Sequence, residues 1–156
     1  MPITLRDVVP EDESFLFEVY ASTRAQEMAL VPWDDEQRKS FLKMQCAAQY
    51  SHYREQFPDA SYCVILRDDS AVGRLYVLRE EREIRILDIT VLPEYRNGGV
   101  GTTLLRGLLD EAAQSEKRVL IYVETFNPSQ RFFERLGFKS IAQEGINFLM
   151  EWRPAA

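Results

Sequence analysis

The sequence predicts an α/β domain built on one mixed, partly parallel sheet. Three observations carry that expectation. Segments of strand character alternate with segments of helical periodicity along the whole chain. One strand, residues 84–92, is almost wholly apolar, as a strand covered on both faces is. It leads through a glycine-rich turn into an amphipathic helix, after which a second apolar strand follows at residues 119–123. At 156 residues the chain suits a single domain over residues 1–156, with enough apolar material for a proper core.

The elements follow in order. Residues 3–8 alternate and form a first strand. Pro10 and the acids after it open a helix whose apolar face holds Phe15, Leu16, Val19 and Tyr20. Residues 27–33 read as irregular, because Pro32 prevents one continuous helix. Asp34-Asp35-Glu36 starts a second helix running to Gln56, with Phe41, Leu42, Met44, Ala47, Ala48 and Tyr50 expected in the core. Gln45, Gln49 and Tyr53 recur every four residues and share a face. That face is either an ordinary half-solvated stripe or one that hydrogen-bonds a substrate. Residues 61–66 and 71–78 form a hairpin about a turn at residues 67–70. Residues 80–83 make a polar tip before the central strand. The helix after the glycine turn contains Gly107, which is unfavourable there and implies a close approach of helix to sheet. Asn127-Pro128 begins a short helix ended by Gly137. Residues 138–142 and 146–152 close the fold as an antiparallel pair about Glu144-Gly145.

Composition excludes several function classes. A net charge of −6 and an isoelectric point near 4.9 argue against general nucleic-acid binding and suit a cationic partner such as an amine. No apolar run reaches membrane-spanning length and residues 1–4 do not begin a signal peptide, so a cytoplasmic protein is expected. Cys46 and Cys63 lack metal spacing and read as reduced, buried thiols. With His52 as the single histidine, no metal site is expected.

The turn itself is the most informative stretch. Gly98, Gly99 and Gly101 remove side chains where a helix begins. The first amides of a helix lack internal partners and sit at the positive end of its dipole, so bare glycines there admit an anion. A mononucleotide loop would need Gly-Lys-Ser or Gly-Lys-Thr, but Thr102-Thr103 follows Gly101. A dinucleotide fingerprint would need glycine at Leu104.

What stands instead is Arg96-Asn97-Gly98-Gly99-Val100-Gly101 behind a strand ending Val-Leu-Pro-Glu. It resembles the pyrophosphate-binding turn of the GNAT superfamily, the acetyl-CoA-dependent N-acetyltransferases. A second stretch, Asn-Pro-x-x-x-Phe-Phe-Glu-Arg-Leu-Gly-Phe at residues 127–138, is similar to that family's C-terminal signature. The resemblance covers essentially the whole chain and is sharpest over residues 88–109 and 127–138. It implies a mostly antiparallel sheet of about six or seven strands with a central splayed parallel pair, flanked by about four helices.

The resemblance also implies a chemistry. Acetyl-CoA would lie where the two parallel strands splay. Backbone groups of Ile89, Thr90 and Val91 would bond its pantetheine arm, and an amide near Val91 would stabilise the oxyanion of a tetrahedral intermediate. Arg96, Asn97, Gly98, Gly99, Val100, Gly101 and Thr102 would hold the diphosphate, with Asn127 and Phe133 further along the same ligand. A primary amine of a small molecule or peptide would attack directly, so no enzyme nucleophile is needed. A base must first free that amine of its proton. Glu124 and Asp88, on the two splaying strands, are the candidates, with Glu83 where the central strand starts. Asp88 has an alternative role as a carboxylate satisfied by backbone or by an arginine. The family's usual acid is a tyrosine where this chain has Phe133, which leaves Tyr122, Tyr95 or Tyr53, a water, or an unassisted thiolate leaving group in its place. The family's asparagine often lies one position upstream, at Phe126, which leaves Asn127 as helix cap or ligand. Glu27 and Trp33, with Gln49 and Tyr53, are the acceptor-pocket candidates. Family members are often dimers, so a homodimer is an expectation. The missing tyrosine keeps a second reading open, a catalytically degenerate acyl-CoA-binding module used as a sensor or docking unit. A nucleotide-binding protein unrelated to coenzyme A is a third.

Overall fold

The protein was analysed as a computed structural model that describes residues 2–155. Seven strands form one sheet: β1 (Ile3–Asp7), β2 (Ser61–Arg67), β3 (Ser70–Arg79), β4 (Glu83–Val91), β5 (Arg118–Glu124), β6 (Lys139–Glu144) and β7 (Asn147–Trp152). Their order is β1-β2-β3-β4-β5-β7-β6, and every neighbouring pair is antiparallel except β4 and β5. Four helices, α1 (Glu13–Ala29), α2 (Asp35–Gln56), α3 (Val100–Gln114) and α4 (Ser129–Arg135), flank the sheet. This is the splayed mixed sheet that the sequence resemblance implies.

The helices divide between the two faces. α3 and α4 bury Leu105, Leu108, Leu109 and Phe133 against Ile84, Ile86, Val119, Ile121 and Val123. Truncating a side chain such as Leu105, fully buried there, would cost about 2–5 kcal/mol. α1 and α2 cover the other face over β3 and β4. There α2 is fastened by polar groups as well as by packing. Gln45 Oε1 accepts from Tyr20 Oη at 3.2 Å, Gln49 Oε1 from Arg74 Nη2 at 3.4 Å, and Tyr53 Oη donates to the Leu87 carbonyl at 3.2 Å. The four-residue stripe is therefore the inner face of α2, spent on internal hydrogen bonds. Met44, Ala47 and Ala48, expected in the core, lie on the solvent side. The apolar count of α2 misplaced its inner face because that face is lined with glutamine and tyrosine.

Two further expectations are corrected. α1 continues to Ala29, so the irregular link is shorter than residues 27–33 and Glu27 is helical. Gly107 is exposed, with nothing within 4 Å of a Cβ placed there, so it marks no close approach. Close approach occurs instead at Gly73, where a Cβ would stand 2.2 Å from the Thr90 carbonyl oxygen and force β3 from β4.

Under α2 the rings of Tyr53, Tyr62 and Tyr76 stack edge to face, with centroids 5.8 Å and 4.9 Å from Tyr76. Burial, then the nearby Asp88 carboxylate, pushes the Tyr53 phenol up to about 12, and burial raises Tyr76 as well. The folded state thus keeps these protons while the unfolded chain loses them near pH 10. Stability is therefore unaffected below that pH and is lost as pH rises above it. Thermal melts at increasing pH should show the decline, and Tyr76→Phe should lessen it. The Tyr76 hydroxyl is buried without a hydrogen-bond partner among the described residues, so this variant should be neutral or slightly stabilising at pH 7.

Candidate active site

β4 carries one extra residue opposite β3. Tyr76 pairs with Asp88 and Val77 with Ile86, which leaves Leu87 as a bulge. Its consequence is a change of face. Ile84 and Ile86 point into the α3 core, and beyond the bulge Ile89 and Val91 do so, while Asp88 and Thr90 turn toward α2. A strand without the bulge would drive the Asp88 carboxylate among the isoleucines.

On the α2 side Asp88 meets Arg74 in a two-point pair, Nη2 to Oδ2 at 2.9 Å and Nε to Oδ1 at 3.2 Å. Thr90 Oγ1 donates to Oδ1 at 2.7 Å. The Arg74 side chain is 4% exposed and that of Asp88 12%. Burial lowers the Arg74 guanidinium's affinity for its proton, and Asp88 more than restores it. Asp88 is thus tied down by an arginine, the second of the two arrangements open to it from sequence. Arg74 itself was overlooked, although an arginine inside an otherwise apolar strand was the available signal.

β4 and β5 are parallel only from Glu83↔Arg118 to Ile86↔Ile121. Beyond that register the strands part. Ile89, Thr90 and Val91 still pair with β3, through Leu75, Arg74 and Gly73, and their other edge faces a gap. Tyr122 and Glu124 lie on β5 past the parting, paired on the far side with Leu149 and Asn147 of β7. They share the α2 face of the sheet with Leu120, because Ile121 and Val123 point to the α3 core. The Glu124 carboxylate has no hydrogen bond or ion pair among the described residues, in contrast to Asp88. The Glu144 carboxylate, then burial, holds the Tyr122 phenol above the usual tyrosine range, so it stays protonated at neutral pH.

The glycine turn stands at the end of β4. Asn97 adopts φ 65° and Gly99 φ 83°, and Gly99 is the N-cap of α3 with no side chain capping the helix. A β-carbon at Gly99 would meet nothing within 4 Å, and the first intrahelical bond is Thr103 N to Gly99 O at 2.9 Å. The amides of Val100, Gly101 and Thr102 are left for an external acceptor. Val100 buries its side chain in the core, which fixes the helix end. Arg96 donates from Nε to the Val91 carbonyl at 3.0 Å and ties the turn to β4. Arg67, at the end of β2, brings Nη1 within 3.3 Å of where a Gly98 Cβ would sit. Nothing in the sequence links residue 67 to this turn, and only the sheet brings them together.

The remaining site candidates are distributed unevenly. Asn127 Oδ1 accepts from Ser129 N at 2.9 Å and so caps the first turn of α4. Phe133 is 3% exposed and packs edge to face with Phe132 and Phe138, with centroids 5.4 Å from each. Tyr53 borders a cleft of about 280 Å³ where α2 ends over the parting strands, together with Phe57, Arg85, Leu87, Tyr122 and Asn147. Gln49 lies one turn before Tyr53, held by Arg74. Glu27 and Trp33 are elsewhere. Glu27 pairs with Arg24 at 3.1 Å, and Trp33 stacks on Phe41 just before α2 begins. From Asp35 to Tyr53 the helix rises about 27 Å, so the four acceptor-pocket candidates do not form one site.

Comparison with known proteins agrees with this fold. The chain is similar in structure to the PaiA N-acetyltransferase of Thermoplasma acidophilum, crystallised in complex with coenzyme A, with a TM-score of 0.72 at 22% identity over 98% of this chain and 99% of that one. PH1933 from Pyrococcus horikoshii OT3 gives 0.73 at 18% identity over 99% and 100%. The ribosomal-protein-S18-alanine N-acetyltransferase of Escherichia coli gives 0.64 at 17% over 99% and 96%. No curated protein sequence matches the chain. The profile of the Acetyltransferase (GNAT) family matches residues 21–138. That match takes in most of the chain, including the parting strands, the uncapped turn and α4, and the protein belongs to the GNAT family of acetyltransferases.

Proposed function

We propose that the protein is an acetyl-CoA-dependent N-acetyltransferase acting on a primary amine of a small molecule or peptide. The observation that carries this reading is the parting of β4 and β5 after Ile86 and Ile121, directly beside the uncapped start of α3. The residues present fit coenzyme A. Free amides at Val100, Gly101 and Thr102 and open space over Gly99 suit a diphosphate, and the unpaired edge of Ile89, Thr90 and Val91 suits an amide-bearing arm. When bound, acetyl-CoA supplies a thioester carbonyl that a free amine attacks directly. Arg96, Asn97, Gly98 and Gly99 shape the anion site, Arg67 adds a cation at its rim, and Asn127 and Phe133 support its far wall through α4.

Glu124 takes the base role in this reading. It sits on the cleft face past the parting, and its carboxylate is unengaged among the described residues. Tyr122, two residues earlier on the same face, holds the proton available to a departing thiolate. Asp88 serves as a positioning residue, since Arg74 and Thr90 occupy both of its oxygens.

Thiol release from acetyl-CoA with a panel of amines tests the proposal. The wild type should release thiol in an amine-dependent manner. Glu124→Gln should lower kcat/KM by roughly a hundredfold, with coenzyme A affinity unchanged. Tight coenzyme A binding without amine-dependent release would point instead to the acyl-CoA-binding module.

A further inference from the structure

The cleft where α2 ends over the parting strands contains a cation. Arg85 lines it from β4, beside Tyr53, Phe57, Leu87, Tyr122 and Asn147. Its guanidinium is aimed by acids behind it: Nε donates to Glu83 Oε2 at 2.8 Å, and Glu80 lies 3.6 Å away. Glu83 is held in turn by Arg118 at 2.9 Å, and Arg118 by Glu151 at 2.8 Å. This ladder fixes Arg85 through its inner nitrogen. Its two terminal nitrogens donate no hydrogen bond to any described residue, although the guanidinium lies close enough to Tyr122 for the phenol to strengthen its hold on its proton. On a side chain 36% exposed, fixed in direction and bordering a cleft of about 280 Å³, they form an unfilled planar fork. Such a fork matches a carboxylate in two-point contact.

We propose that the acceptor is an amine that also carries a carboxylate, which Arg85 binds while the amine faces the parting of β4 and β5. The aromatic walls of Tyr53, Phe57 and Tyr122 leave room for a short carbon chain between the two charged ends. Glu124 and Glu144, at the same end of β5 and β6, would disfavour an anion at the mouth, so Arg85 fixes which end of the acceptor enters first. This assignment rests on the transferase reading above but has a binding readout of its own.

The test uses matched pairs that differ only in carboxylate against carboxamide: alanine and alaninamide, β-alanine and its amide, 4-aminobutanoate and its amide. Each is titrated by NMR into the protein loaded with coenzyme A. In at least one pair the carboxylate should bind about tenfold or more tightly than the amide. Arg85→Gln should erase that preference, and Arg85→Lys, which keeps the charge without the fork, should retain part of it. Equal affinity within every pair, no binding by any member, or a preference that survives both substitutions would overturn the assignment. Turnover is read separately. Carboxylate-selective binding with no thiol release would retain Arg85's role and count against acetyl transfer.

Discussion

Gly99→Glu is expected to remove coenzyme A binding while the domain stays folded. Gly99 has φ 83° and opens onto space, so a side chain there meets no wall, only the site itself. A carboxylate about 4 Å from a diphosphate charge costs roughly 4 kcal/mol at the effective dielectric of a protein surface, or about a thousandfold in affinity. The left-handed backbone adds about 1–2 kcal/mol of strain to folding, a modest loss for a chain of this size. Gly99→Ala carries the same strain without the charge and separates the two effects. Calorimetric titration with coenzyme A, beside a thermal melt, checks both. Full affinity in the glutamate variant would remove the turn from the site.

Asp88→Asn is expected to act mainly on stability. It leaves Arg74, 4% exposed, with its charge buried and unmatched. Breaking such a pair from one side costs about 3–5 kcal/mol. At about 2–4 °C per kcal/mol for a chain of this length, the melting temperature should fall by roughly 10 °C. Arg74→Met combined with Asp88→Leu removes both charges and should recover most of that loss. The outcome also decides between roles. A catalytic Asp88 would give a variant that melts within about 2 °C of wild type and turns over far more slowly.

These two residues show how differently parts of the site could be read from sequence. The turn was legible because its physics is local. Three glycines at a helix start expose amides whatever the rest of the chain does. Asp88 was visible only as a polar interruption in an apolar strand. Its partner lies on β3, and its orientation depends on the Leu87 bulge, which leaves no mark in residue type. The α2 stripe of Gln45, Gln49 and Tyr53 had the right periodicity, but periodicity does not say whether a polar face looks to water or to a polar patch of sheet. Glu27 and Trp33 were grouped with Tyr53 by expectation, and the length of α2 holds them apart.

The sequence by itself determined the element order, the apolar central strands and the glycine turn with its exposed helix-start amides. Each of these follows from residues adjacent in the chain or repeated at a fixed period. The tertiary structure decided what depends on residues far apart: which arginine neutralises Asp88, how far β4 and β5 run together before parting, and that Arg85 ends in an open cleft. The physical reason is that burial and charge pairing are set by the neighbour across the sheet, and one extra residue in β4 reverses which neighbour that is.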